Sequence, residues 1–101
     1  MAVKSTNESF PQDIAEGLVL ADFYSDSCIP CKRMSPVLAE LEEENSGVKL
    51  VKLNINFGAE TAAKYDITSV PTLVFFRDGK EVQRVTGAVK KAQIEEIIKT
   101  L

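Results

Sequence analysis

Two cysteines, Cys28 and Cys31, stand three positions apart in Ser27-Cys28-Ile29-Pro30-Cys31-Lys32, between an apolar run and a helix-like run. A pair at this spacing can be a redox dithiol, half of a zinc site or a structural disulfide. Pro30, directly before the second cysteine, suits a short turn that opens a helix, because the first helical turn offers no intrahelical partner for the N–H that proline lacks. Cys28 is then expected at the helix N-terminus, where free backbone N–H groups and the positive end of the dipole favour an anion. The anion is a thiolate, the form that attacks disulfides.

Lowering a cysteine pKa by about 1.5 units takes roughly 2 kcal/mol, the upper end of what a helix terminus supplies. The thiolate fraction at neutral pH rises roughly 15-fold, while lower basicity takes back about 5-fold in nucleophilicity. The larger benefits are that Cys28 becomes a better leaving group and that Cys31 is close enough to resolve a mixed disulfide intramolecularly. Zinc needs about four ligands, and the sequence has no His and no third Cys, so no metal is expected. A structural bridge over so small a loop gives only about 2 kcal/mol in the entropic model, and a reducing cytosol would open it.

The elements that must hold this dithiol can be read from patterning. The chain has 101 residues, enough for one core, and residues 1–101 are expected to form a single domain. Apolar residues at 45% and charged residues at 27% are ordinary for a globular protein. A net charge of −3 with no Lys/Arg cluster beyond a pair argues against nucleic acid. The start, Met1 to Glu8, lacks an apolar leader, and no apolar run approaches the roughly 20 residues of a membrane span, so the expected compartment is the cytoplasm.

Ser9 reads as the N-cap of a short helix running to about Glu16, with Gln12 in capping-box position and Gly17 ending it. Leu18 to Tyr24 is apolar except for Asp22, as in a strand covered on both faces. After the dithiol, Met34, Val37, Leu38 and Leu41 follow a helical period, with Pro36 expected to kink the helix and Asn45-Ser46-Gly47 to stop it. Glu40, Glu42, Glu43 and Glu44 read as its solvated face. Val48 to Ile55 is a second strand and Ala59 to Tyr65 a short helix. Val70-Pro71-Thr72 leads into the strand Leu73–Phe76, Asp78-Gly79 signals a hairpin, and Glu81 to Thr86 should pair back antiparallel. A last helix places Ile94, Ile97, Ile98 and Leu101 on one face. With a short strand at Val3-Lys4, the order implies an α/β fold, a mixed sheet of four to five strands with helices on both faces.

Strand, C-x-P-C, proline-bearing helix, Val-Pro-Thr and a closing hairpin and helix in this order resemble the thioredoxin family over nearly the full length. The resemblance implies the thioredoxin fold and a protein disulfide reductase that cycles between the dithiol and a reversible Cys28–Cys31 disulfide, with no bound cofactor. By it, Cys28 is the exposed attacking thiol and Cys31 the buried resolving one. Asp22 matches the family's buried aspartate, Lys52 the lysine near it, and Pro71 the cis-proline facing the dithiol. Gly79 and Gly87 match family glycines, and Ile29, Pro30, Val70, Pro71 and Gly87 are the expected substrate-binding residues. The implied partners are disulfide-containing proteins and a flavoprotein thioredoxin reductase, with the chain itself a monomer.

From its place in an apolar strand, Asp22 should have a pKa raised by desolvation and so could accept the Cys31 proton, while Lys52 would pull the same value down. Three positions depart from the family's usual pattern. Ile29 stands where the motif usually has glycine, changing the turn's freedom and the surface shown to partners. Tyr24 and Ser27 stand where tryptophans are usual. Lys90 occupies a position where a serine helix cap is common, and its side chain has no acceptor. These features also fit a specialised interaction module that keeps the fold, and a disulfide oxidase or isomerase is a third possibility.

Overall fold

The computed structural model describes residues 2–101; Met1, the first residue of the expected domain and of the Met1 to Glu8 stretch, lies outside them. Five strands, β1 (Val3–Lys4), β2 (Leu18–Tyr24), β3 (Val48–Asn54), β4 (Thr72–Arg77) and β5 (Lys80–Thr86), form one sheet in the order β1-β3-β2-β4-β5. β1 and β2 run parallel to β3, while β4 is antiparallel to β2 and to β5. Four helices, α1 (Phe10–Asp13), α2 (Ile29–Glu44), α3 (Ala59–Lys64) and α4 (Lys91–Lys99), complete the mixed α/β architecture read from the sequence.

Strand alternation sorts the core into two layers. Val19, Ala21 and Phe23 of β2 join Val51, Leu53, Val74 and Phe76 in one cluster. Phe10 covers that face, its ring 5.6 Å from Phe23 and 5.8 Å from Phe76. Leu20 joins Leu50, Leu73 and Phe75 on the other face, under Met34, Leu38 and Leu41 of α2 and Ile94 of α4. Asp22 continues the Leu18, Leu20 series, which aims its carboxyl beneath α2. Lys52 continues the Val48, Leu50 series on the same face.

The hairpin forms as its dipeptide demands. Asp78 and Gly79 both have positive φ, 50° and 85°, the signature of a type I′ turn, which glycine adopts without steric cost. The pairing then slips: Phe75 faces Gln83 and Phe76 faces Glu81, so Val82 is an extra residue on β5. Gly58 serves close approach instead. A Cβ there would lie 2.6 Å from Leu53 Cδ1, in the core. Gly58→Ala is therefore expected to cost about 1–3 kcal/mol by overpacking, read as a lower urea midpoint at unchanged m-value. An unshifted midpoint would mean that Leu53 steps aside freely.

Two readings of helix ends are corrected. α1 stops at Asp13 rather than Glu16, because Ile14 turns out of helical geometry and is buried in the core. Ser9 is the N-cap residue of α1, as read, but its side chain does not cap the helix: its own backbone is already helical, and its Oγ accepts from the Thr6 N–H at 3.0 Å and donates to Asp13. Thr6 Oγ1 accepts from the Ser9 N–H in return, so the reciprocal box lies three residues earlier, at Thr6 and Ser9. α2 runs without interruption through Pro36. Of the acidic cluster on α2, Glu40 and Glu44, one turn apart, both reach Lys91 Nζ, at 2.8 and 2.6 Å, and bind the start of α4 to α2. At the start of α4 the Lys90 side chain caps no amide, but Gln93 reaches back and its Oε1 accepts the Lys90 N–H at 2.9 Å, the other half of a capping arrangement.

Candidate redox site

Cys28 is the N-cap of α2, with extended backbone at φ −86° and ψ 109°. Ile29 and Pro30 fill the first two helical positions, so proline sits where its missing N–H breaks no helical bond. The next N–H, that of Cys31, points at Cys28 Sγ at 3.1 Å. The sulfur thus occupies the position in which a Ser or Asp oxygen normally caps a helix. The two cysteines are joined in a disulfide, with Cα atoms 5.2 Å apart. Cys28 is half-buried, whereas Cys31 is 4% exposed. A partner can reach the first sulfur more readily than the second.

The register of β2 against β4 sets what lies beside the pair. Phe23 faces Thr72, so the end of β2 from which the Cys28 loop departs adjoins the start of β4 and hence Pro71. The Val70-Pro71 bond is cis. Pro71 is buried and Val70 half-buried. Gly87, at φ 91°, donates its N–H to the Pro71 carbonyl at 2.8 Å. Ile29, by contrast, is 63% exposed, an apolar side chain presented immediately beside the half-buried sulfur.

Behind the dithiol lies a titratable group. Asp22 is 1% exposed, and neither of its carboxyl oxygens has a hydrogen-bond partner. Burial pushes its pKa up from 3.8 to about 6, against the opposing pull of Lys52. The two opposed effects expected at Asp22 therefore resolve in favour of desolvation. Lys52 faces Asp22 directly in the parallel pairing of β2 and β3. Its ammonium is engaged elsewhere, donating to Ser35 Oγ at 3.2 Å and lying 5.1 Å from the centre of the Tyr24 ring. Burial, and then the negative charges of Asp26 and Asp22, raise the Tyr24 pKa.

A cavity of about 140 Å³ connects these groups, lined by Cys31, Asp22, Lys52, Ser35, Tyr24 and Lys32 among others. Polar groups of Asp22, Ser35 and Lys52 border it and it is roomy enough for water, which can bridge a thiol and a carboxylate that do not touch. Two residues of this site were not anticipated. Ser35 lies four positions after Cys31, so the two share a helix face, a spacing from which it could have been found. Asp26, whose Oδ1 accepts from Asn54 Nδ2 at 3.0 Å, gives no such signal, because the contact joins segments 28 residues apart. Among the described residues no group of three or more His, Cys, Asp or Glu is placed to hold a metal ion, and no helix is long and apolar enough to cross a membrane.

Comparison with known proteins gives a consistent picture. The family model described as Thioredoxin matches residues 1–100. The chain is 41% identical over 97 residues to the thioredoxin of Bacillus subtilis, covering 95% of this chain and 93% of that one. It is 46% identical over 91 residues to the thioredoxin of Chlamydia caviae, with 90% and 89% covered. To the thioredoxin of Listeria monocytogenes it is 36% identical over 99 residues, with 97% and 96% covered.

Proposed function

The chain belongs to the thioredoxin family and is a protein disulfide reductase, and on that premise we propose which side chains carry each step and where the electrons come from. The Cys28 thiolate attacks one sulfur of a substrate disulfide. A new S–S bond forms between Cys28 and that sulfur, and the other substrate sulfur leaves as a thiolate. Cys31 gives its proton to Asp22 through water in the cavity and attacks Cys28 Sγ. The Cys28–Cys31 bond forms as the bond to substrate breaks, and the second substrate sulfur departs. Two electrons have then passed to the substrate, and the dithiol has become the disulfide.

Substrates are disulfide-containing proteins that lay an extended segment along the Val70-Pro71 edge, with Ile29, Pro30 and Gly87 completing the contact surface. Lys52 sets the charge around Asp22. Electrons return from an external flavoprotein thioredoxin reductase, since the sequence carries no G-x-G-x-x-G dinucleotide fingerprint. The protein works as a monomeric single domain, residues 1–101, in the cytoplasm, without nucleic acid or membrane.

The observation that supports this reading best is the Cys31 N–H aimed at Cys28 Sγ at the leading end of α2. An amide that caps a sulfur in the disulfide stabilises a thiolate once the bond is reduced. Alkylation of the reduced protein by iodoacetamide is expected to reach half its maximal rate at least about one pH unit below an ordinary thiol, whose pKa is about 8.5. A profile centred near that ordinary value would overturn the assignment of Cys28 as attacking thiolate.

A further inference from the structure

Lys52 poses a question that the dithiol chemistry does not answer. It faces Asp22 across the β2–β3 pairing, on the same face of the sheet, and lines the same cavity. The cheapest arrangement of a buried carboxylate and a neighbouring ammonium is direct contact, since a buried charge without a partner is costly. Yet both Asp22 oxygens lack a hydrogen-bond partner. The ammonium is instead bound to Ser35 Oγ at 3.2 Å and rests over the Tyr24 ring. Ser35 is half-buried on α2, one helical turn beyond Cys31, so the hydroxyl is part of the same helix that carries the dithiol.

We propose that Ser35 is a positioning residue of the redox site: its hydroxyl tethers the Lys52 ammonium away from the Asp22 carboxyl, leaving that carboxyl free to exchange a proton with the cavity. The inference rests on the reading of Asp22 as the proton acceptor and deepens it. A serine-bound ammonium influences Asp22 only through space. A released one has a better acceptor within the same cavity, the unpartnered carboxylate, and closes onto it. An Asp22 held in a direct ion pair is a weaker base and has fewer free lone pairs for water. The other groups facing Asp22 are the Tyr24 phenol on its own strand, Asp26 in the following loop, and Cys31 and Lys32 on α2. None of these bridges Lys52 to the carboxyl.

The test is an NMR titration of the Asp22 carboxyl carbon in the full-length oxidised protein, where neither cysteine titrates. Ser35→Ala is expected to lower the Asp22 midpoint by about one pH unit, a tenfold change in the ratio of acid to base, as for a carboxylate gaining a direct cationic partner. Ser35→Thr, which keeps the hydroxyl, should leave the midpoint where the wild type has it. In a Lys52→Met background, Ser35→Ala should have no effect, because the tether then holds nothing. An unchanged or raised midpoint in Ser35→Ala, or an equal shift with and without Lys52, overturns the tether. The single-turnover rate of mixed-disulfide resolution, measured on the same variants, reports separately on Asp22 as base. A lowered midpoint with an unaltered rate upholds the tether and removes the base.

Discussion

Cys31→Ser is expected to stop catalysis after its first half, leaving substrate attached to Cys28 as a stable one-to-one mixed disulfide, while Cys28→Ser forms no adduct and reduces nothing. The asymmetry follows from exposure and capping. Cys28 is half-buried and receives an amide at its sulfur, whereas Cys31 is enclosed, bonded to Cys28 and bordering the cavity behind. With Cys31 gone, the intermediate waits for a thiol from solution. Intramolecular attack corresponds to effective concentrations of about 10⁵ M or more, so millimolar external thiol replaces it poorly and turnover should fall by at least about 10³-fold. Insulin reduction followed by turbidity in dithiothreitol measures turnover, and mass spectrometry under non-reducing conditions finds the adduct. A Cys28→Ser variant that still accelerates insulin reduction would remove the reductase mechanism and leave the fold as an interaction module. Wild-type turnover by Cys31→Ser would show that resolution does not run through the second cysteine.

The parts of this site that were legible in the sequence are those fixed by local chemistry. C-x-P-C at the opening of a helix, the I′ dipeptide Asp78-Gly79 and the two-sided apolar run of β2 each state their geometry within a few residues. Asp22 stood out because a carboxylate in such a run has to be explained. Its environment was another matter. Whether burial or Lys52 governs its pKa depends on where the ammonium goes, and that is decided by Ser35, seventeen residues from Lys52 along the chain. The same limit hid the clasp of Glu40 and Glu44 on Lys91. Those four glutamates look like a solvated face until α4 is laid against α2. The reading of α1 was right on the residue and wrong on the bond: Ser9 is its N-cap, but Thr6 and Ser9, both good capping residues three apart, pair with each other, and the Ser9 hydroxyl caps no amide of α1. The cis state of Val70-Pro71 was implied by the family resemblance and by nothing in the two residues themselves.

Asp22 couples stability to activity, and Asp22→Asn should move the two in opposite directions. The carboxyl has a pKa of 3.8 in an ordinary exposed setting and about 6 in the fold, so the folded state prefers it protonated. Its favourable contribution is complete below about pH 4 and is lost as pH rises through about 6. Above that, the fold carries a desolvated carboxylate at a cost of about 3 kcal/mol, taking about 1.4 kcal/mol for each pH unit. Asparagine has nearly the same shape and never ionises. The variant should therefore be more stable than wild type by about 2–3 kcal/mol near pH 7.5 and no more stable near pH 4, as urea unfolding of the oxidised proteins would measure. The same substitution removes the group that takes the Cys31 proton, so resolution of a mixed disulfide near neutral pH should slow by about 10²-fold, while the first attack by Cys28 stays near the wild-type rate. A stability difference that does not vary with pH would show that Asp22 is not ionising as a desolvated group. Equal slowing of both steps would show that the carboxyl acts on the dithiol as a whole, and its assignment as the base for Cys31 would fall.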